Sequence, residues 1–145
     1  MQTVRDEEGN RYLVCKRSSD AWLVRDPDSG RQQYIERDRL EVSEDDSPLS
    51  TAAAGIDPAV RRLLTATHDD RSLGLLIELV DRGPLSAIEL VESYDLCESD
   101  LHGLLGEFRA AGLLEPCDVA GRRGYDATAM ATTAVRRLRV DPVES

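Results

Sequence analysis

The chain has 145 residues, 41% of them hydrophobic, which is enough for a compact core in one ordinary domain or two small ones and excludes a disordered chain. No run approaches the roughly 18 consecutive apolar residues of a membrane span, and Met1-Gln2-Thr3-Val4-Arg5-Asp6 lacks the apolar stretch of a secretion signal, so a cytoplasmic location without a membrane partner is expected. Acidic residues number 28 against 18 basic ones, a net charge of −10, and 17 of the 18 are arginine, with Lys16 the single lysine.

Residues 1–42 read as a small antiparallel β unit, because short β-rich runs alternate with turn signals. Arg11–Arg17 and Ala21–Asp26 are the clearest strands, and Pro27-Asp28-Ser29-Gly30 turns the second into Arg31–Ile35. Tyr12, Val14, Trp22, Val24, Tyr34 and Ile35 are expected to form a one-sided apolar face. So short a stretch buries little alone, so that face is expected to dock on the second domain or a second copy. Residues 43–55 turn acidic, then Pro/Ser-bearing, then small, without amphipathic period, and are expected to be a linker.

From there the apolar period switches to 3.6. Asp57-Pro58 caps a helix carrying Val60, Leu63 and Leu64. Leu73, Leu76, Ile77 and Val80 form the stripe of the next, which Gly83-Pro84 stops. Ser86 caps a short helix to Tyr94, with Glu89 as its capping-box partner and Ile88 and Val91 facing inward. Leu101, Leu104, Leu105 and Phe108 mark a helix from Glu98 to Ala111 that Gly112 ends. Leu113–Val119 and Tyr125–Ala127 then flank a hairpin tip, Gly121-Arg122-Arg123-Gly124. A last helix is expected to carry Met130, Ala134, Val135 and Leu138 on one face.

Helix, short helix, tight turn, longer helix and hairpin is the order of a winged helix-turn-helix. The predicted fold class is therefore α+β: a small N-terminal antiparallel β unit (1–42), the linker (43–55), a winged helix-turn-helix domain (56–140) and a tail (141–145). Leu96 to Leu105, then Phe108-Arg109-Ala110-Ala111-Gly112-Leu113-Leu114, is similar to the recognition helix and following strand of MarR- and ArsR-type regulators, and Pro84 to Leu90 looks like their preceding helix. The resemblance covers roughly residues 70–128 and leaves out 1–55. It implies a dimeric transcriptional regulator on double-stranded promoter DNA. Cys97 stands where those families place a capping Ser or Thr, a departure that weakens the cap.

On that resemblance the residues that would meet DNA are Glu98, Ser99, Asp100, His102, Gly103 and Gly106 on the recognition helix and Arg122 and Arg123 on the wing. Ser99 and His102 can hydrogen-bond to bases and Glu98 or Asp100 can accept from cytosine, but the helix lacks an Arg or Asn for the commonest bidentate contacts. The arginine pair suits phosphate or minor-groove contact, or is simply a soluble hairpin tip. A surface this acidic repels itself unless salt screens it, and the composition resembles that of salt-adapted archaeal proteins. An acidic protein with basic partners would show the same balance. The alternative function is thus a non-catalytic adaptor whose winged helix and β unit bind other proteins of transcription.

No enzyme is expected, since the sequence holds no Gly-rich phosphate loop, GxSxG or HExxH. No cofactor or metal is expected either: Cys15, Cys97 and Cys117 lack ligand spacing and are read as reduced, mostly packed thiols, and His68 and His102 as structural or solvated. Arg136, Arg137 and Arg139 complement the dipole of the last helix or line a dimer or a phosphate backbone.

Overall fold

A computed structural model describes residues 1–139, so the predicted tail 141–145 and the last residue assigned to the second domain, 140, lie outside it. The fold is mixed α+β with two antiparallel sheets and, among the described residues, six α-helices. The described residues divide into two compact units, 1–57 and a second that begins at 58.

In the first unit, strands β1 (Thr3–Arg5), β2 (Arg11–Lys16), β3 (Ala21–Arg25), β4 (Gln32–Glu36) and β5 (Glu41–Ser43) form a sheet of order β4-β3-β2-β1-β5. The 3₁₀ turn Arg37–Arg39 returns the chain from β4 to the far edge, where β5 pairs with β1 in the register Val4↔Val42. One face buries Val4, Tyr12, Val14, Trp22, Val24 and Leu40, with Ile35 and Val42 packed against them. Two guanidiniums stand over the Trp22 ring, Arg37 at 4.6 Å and Arg17 at 5.0 Å from its centroid. Tyr34 does not join this face and is 63% exposed. Successive strand residues point to opposite sides, so Tyr34 and Ile35 cannot share one, and the register Trp22↔Ile35 assigns the core side to Ile35.

The segment 43–55 is not a linker. Asp46 accepts from Arg5 at 2.8 Å and from the Ser43 hydroxyl at 2.7 Å, and helix α1 (Pro48–Ala53) starts on Pro48, whose missing N–H costs nothing there. Thr51 is fully buried with its Oγ1 2.8 Å from Thr3 Oγ1, and Gly55 abuts the Pro27 carbonyl so closely that no side chain fits. At Gly55 the residue is small because backbone packs against backbone; Ala52 and Ala53 are exposed.

The second unit runs α2 (Pro58–Ala66), α3 (Asp70–Arg82), β6 (Leu85–Ser86), α4 (Ala87–Tyr94), α5 (Glu98–Ala110), β7 (Leu114–Val119), β8 (Arg122–Ala127) and α6 (Ala129–Leu138). Its core gathers Leu63, Leu76, Leu79, Leu90, Leu101, Leu105, Phe108, Leu113, Ala131, Ala134 and Val135. Three predicted stripes are offset. In α3 the buried apolar positions are Leu75, Leu76 and Leu79, while Leu73, Ile77 and Val80 are half-buried. In α4 Leu90 is buried, with Ala87, Val91 and Tyr94 packed half-buried against the same cluster, whereas Ile88 is 48% exposed. In α6 Ala131 replaces Met130, which is 37% exposed, and Leu138 is 46% exposed. A strand absent from the sequence reading, β6, pairs with β8 and makes the sheet three-stranded in the order β6-β8-β7.

Caps set the helix starts. Asp69 Oδ1 accepts the Ser72 N–H at 2.9 Å and Ser86 accepts the Glu89 N–H at 3.1 Å, each completing a capping box. At the far end Arg139 grips Asp81 with two guanidinium nitrogens at 2.9 and 2.6 Å, tying the end of α6 to α3. That ion pair is the place of Arg139, rather than the helix dipole alone.

Candidate functional site

Helices α4 and α5 are joined by Asp95, Leu96 and Cys97. Asp95 is left-handed at φ 52°, a conformation Asp tolerates better than most residues, and buried Leu96 anchors the corner. Cys97 Sγ does cap α5, but with a sulfur acceptor: it takes the Asp100 N–H at 3.4 Å and stands 3.3 Å from Ser99 Oγ. Leu101, Leu105 and Phe108 seat the helix, which leaves Glu98, Ser99, Asp100, His102, Gly103 and Gly106 in solvent. A Cβ on Gly103 or Gly106 would meet nothing within 4 Å, so neither glycine is required by packing. The two bare positions, three apart, are neighbours on the helix surface.

Two recesses flank this surface. On one side an open groove of about 300 Å³ lies between α4 and α5, floored by Leu101 and Leu105, lipped by Ile88 and Val91, and edged by Glu92, Glu98 and His102. On the other, Ser99, Asp100, Gly103 and Glu107 of α5 line a recess of about 400 Å³ together with Asp69 and Arg71. Here His68 Nε2 stands 3.0 Å from Glu107 Oε2, tying the approach to α3 onto α5. The Ser72 backbone N–H, with its hydroxyl, holds the Asp69 carboxyl below the usual aspartate range. Gly106 lines neither recess.

Arg122 and Arg123 are exposed, but they do not sit at the hairpin tip. The register Val119↔Arg122 and Asp118↔Arg123 places both in β8 and leaves Ala120 and Gly121 as a two-residue turn. Both turn residues have positive φ, 52° and 81°, the condition of a type I′ hairpin that matches the strands' twist. Being consecutive in a strand, the arginines point to opposite sides of the hairpin. With Pro116, Cys117, Asp118 and Gly121 they line a shallow recess, separate from the two beside α5. Gly124 is not a tip residue either: it is buried in β8 between Ser86 and Cys117.

A profile of the family of unknown function DUF7346 matches residues 1–139. The chain belongs to that family. No curated protein matches it. A crystal structure of an ArsR family transcriptional regulator is similar over 55% of this chain and 80% of its own, at 19% identity and a TM-score of 0.43.

Sequence reasoning about this DUF7346 chain missed Arg71, Glu107 and Ile88 around α5. Glu107 follows Gly103 at i+4 and was within reach of the helical period, whereas Arg71 arrives from another helix and left no local signal. The cysteines differ from expectation in their packing, not in being free: Cys15 and Cys97 are exposed and Cys117 is half-buried. Cys97 is spent on a cap and so faces out, while burial, then Asp126, raises the Cys117 thiol above its ordinary value. Among the described residues no three His, Cys, Asp or Glu side chains are placed to hold a metal ion, and no helix is long and apolar enough to cross a membrane.

Proposed function

We propose that residues 58–138 are a winged helix-turn-helix and that the protein is a non-enzymatic transcriptional regulator that binds double-stranded promoter DNA. Helix α5 enters the major groove and the β7–β8 hairpin is the wing. The observation that carries this reading is the outward face of α5: Ser99 and His102 offer hydrogen bonds beside Gly103 and Gly106, whose bare backbone lets a ligand approach closely and which packing does not require. The three-residue corner before α5 is the length a helix-turn-helix uses. Arg122 and Arg123 take the phosphates on either side of the wing.

The active species is a dimer. Leu64 of α2, 55% exposed, and Met130 and Leu138 of α6 lie on helices that pack together and leave apolar surface in water for a second copy. A symmetric pair sets two recognition helices about one DNA turn, roughly 34 Å, apart. Glu98 and Asp100 oppose phosphate at low salt, so binding depends on screening, as suits a chain with the acidic, lysine-poor surface of a salt-rich archaeal cytoplasm.

Fluorescence anisotropy with genomic promoter fragments over about 0.1–2 M KCl tests this. Saturable binding is expected, weakened at least tenfold in Arg122→Ala/Arg123→Ala, with the log affinity–log salt slope reduced by roughly 0.9 for each arginine. Absence of saturable wild-type binding to any fragment would overturn it.

A further inference from the structure

We propose that the groove between α4 and α5 is a docking site for a cationic amphipathic helix of a protein partner. Ile88 and Val91, one helical turn apart, form an apolar lip over the buried floor, and 48% of Ile88 stands in water although Leu90, two residues on, is fully buried. A strip of this kind is what a helix with large apolar residues at i, i+4 and i+7 covers. The rim selects the charge. Glu92 edges the groove from α4 and Glu98 from α5, and none of the residues lining it is Lys or Arg. An acidic peptide or a phosphate backbone meets repulsion from both sides, while arginines flanking an apolar anchor meet two carboxylates. Duplex DNA does not fill the groove, because its floor offers base edges no hydrogen-bonding partner.

The groove shares Glu98 and His102 with the face assigned to DNA, so helix and DNA exclude each other; that clause alone rests on the DNA reading. A bound partner would then lift the protein from DNA by occupancy, without a conformational change.

The test uses the full chain and a fluorescein-labelled synthetic helical peptide with leucines at i, i+4 and i+7 flanked by arginines, in about 0.15 M salt and without DNA, so that its outcome does not depend on DNA binding. Saturable binding is expected, at least tenfold weaker for Ile88→Glu and for Glu92→Gln/Glu98→Gln, and absent for the same peptide with glutamates in place of arginines. Arg122→Ala/Arg123→Ala, which carries the DNA defect, should bind the peptide like wild type. Far-ultraviolet circular dichroism confirms that each variant is folded. Wild-type protein that fails to bind, binding equal in the folded variants, or equal binding of the glutamate peptide would each overturn the proposal.

Discussion

Gly124 of β8 lies so close to Leu85 of β6 that a Cβ on it would stand 2.7 Å from the Leu85 carbonyl oxygen, and 2.5 Å from Val119 Cγ2 on the other side. The three strands of the small sheet close on a residue without a side chain. Gly124→Ala is therefore expected to force β6 or β7 outward and to destabilise the fold by about 1–3 kcal/mol, the usual cost of overpacking. Urea denaturation read by circular dichroism checks this. A midpoint equal to that of the wild type would show that the strands part freely.

The turn beside it has room for improvement. Ala120 occupies a left-handed position that costs an L-residue with a Cβ roughly 1–2 kcal/mol. Ala120→Asn, which gives the turn the Asn-Gly pair preferred in type I′ hairpins, should raise stability by about 1 kcal/mol and leave DNA affinity unchanged, as measured by thermal melting and anisotropy.

Helix α5 sets stability against function. Gly103→Ala and Gly106→Ala fill open space and should each stabilise by about 1 kcal/mol, the helix-propensity difference. If α5 lies against DNA, each added methyl should also weaken DNA binding severalfold. Gly74→Ala in α3, equally free of neighbours, is the control: it should stabilise without touching affinity. Stabilisation with DNA affinity retained in the α5 variants would remove the reason given for the two glycines.

Acid should unfold the protein through specific carboxylates. The Ser72 N–H lowers the pKa of Asp69, the Ser43 hydroxyl and then Arg5 lower that of Asp46, and Arg139 lowers that of Asp81. Each pKa is depressed in the folded state, so each contribution is full above the unfolded value of about 3.9 and is lost as pH falls through the folded one. Denaturant midpoints should be flat near neutrality and fall from about pH 5 downward, and Asp69→Asn should flatten part of that fall.

Much of the fold was legible because local rules and tertiary packing agree. The Ser86/Glu89 capping box, the α5 stripe through Leu101, Leu105 and Phe108, and strands β2 to β4 follow from period and caps alone. What was not legible depends on partners distant in sequence. The strand β6 is two residues long and exists only because β8 lies beside it, and α1 reads as a spacer until Thr51 meets Thr3 across 48 residues. Ile88, assigned inward by period, turns out because Leu90 takes the core position of its short helix. All six α5 site positions are exposed, as the stripe they avoid implies, and both arginines are exposed but lie in the strand after the tip, because the turn falls on Ala120 and Gly121 and an alanine at positive φ leaves no turn signal in the sequence.

The most direct measurement of the central claim is a ¹⁵N–¹H NMR titration of the full chain with a promoter duplex at a salt concentration where anisotropy reports binding. Shifts concentrated on Ser99, His102, Gly103 and Gly106 and on Arg122 and Arg123, with residues 1–57 little changed, are the predicted result. Binding that leaves α5 unshifted, or perturbs only the first unit, would contradict the assignment of α5 as the helix that reads DNA.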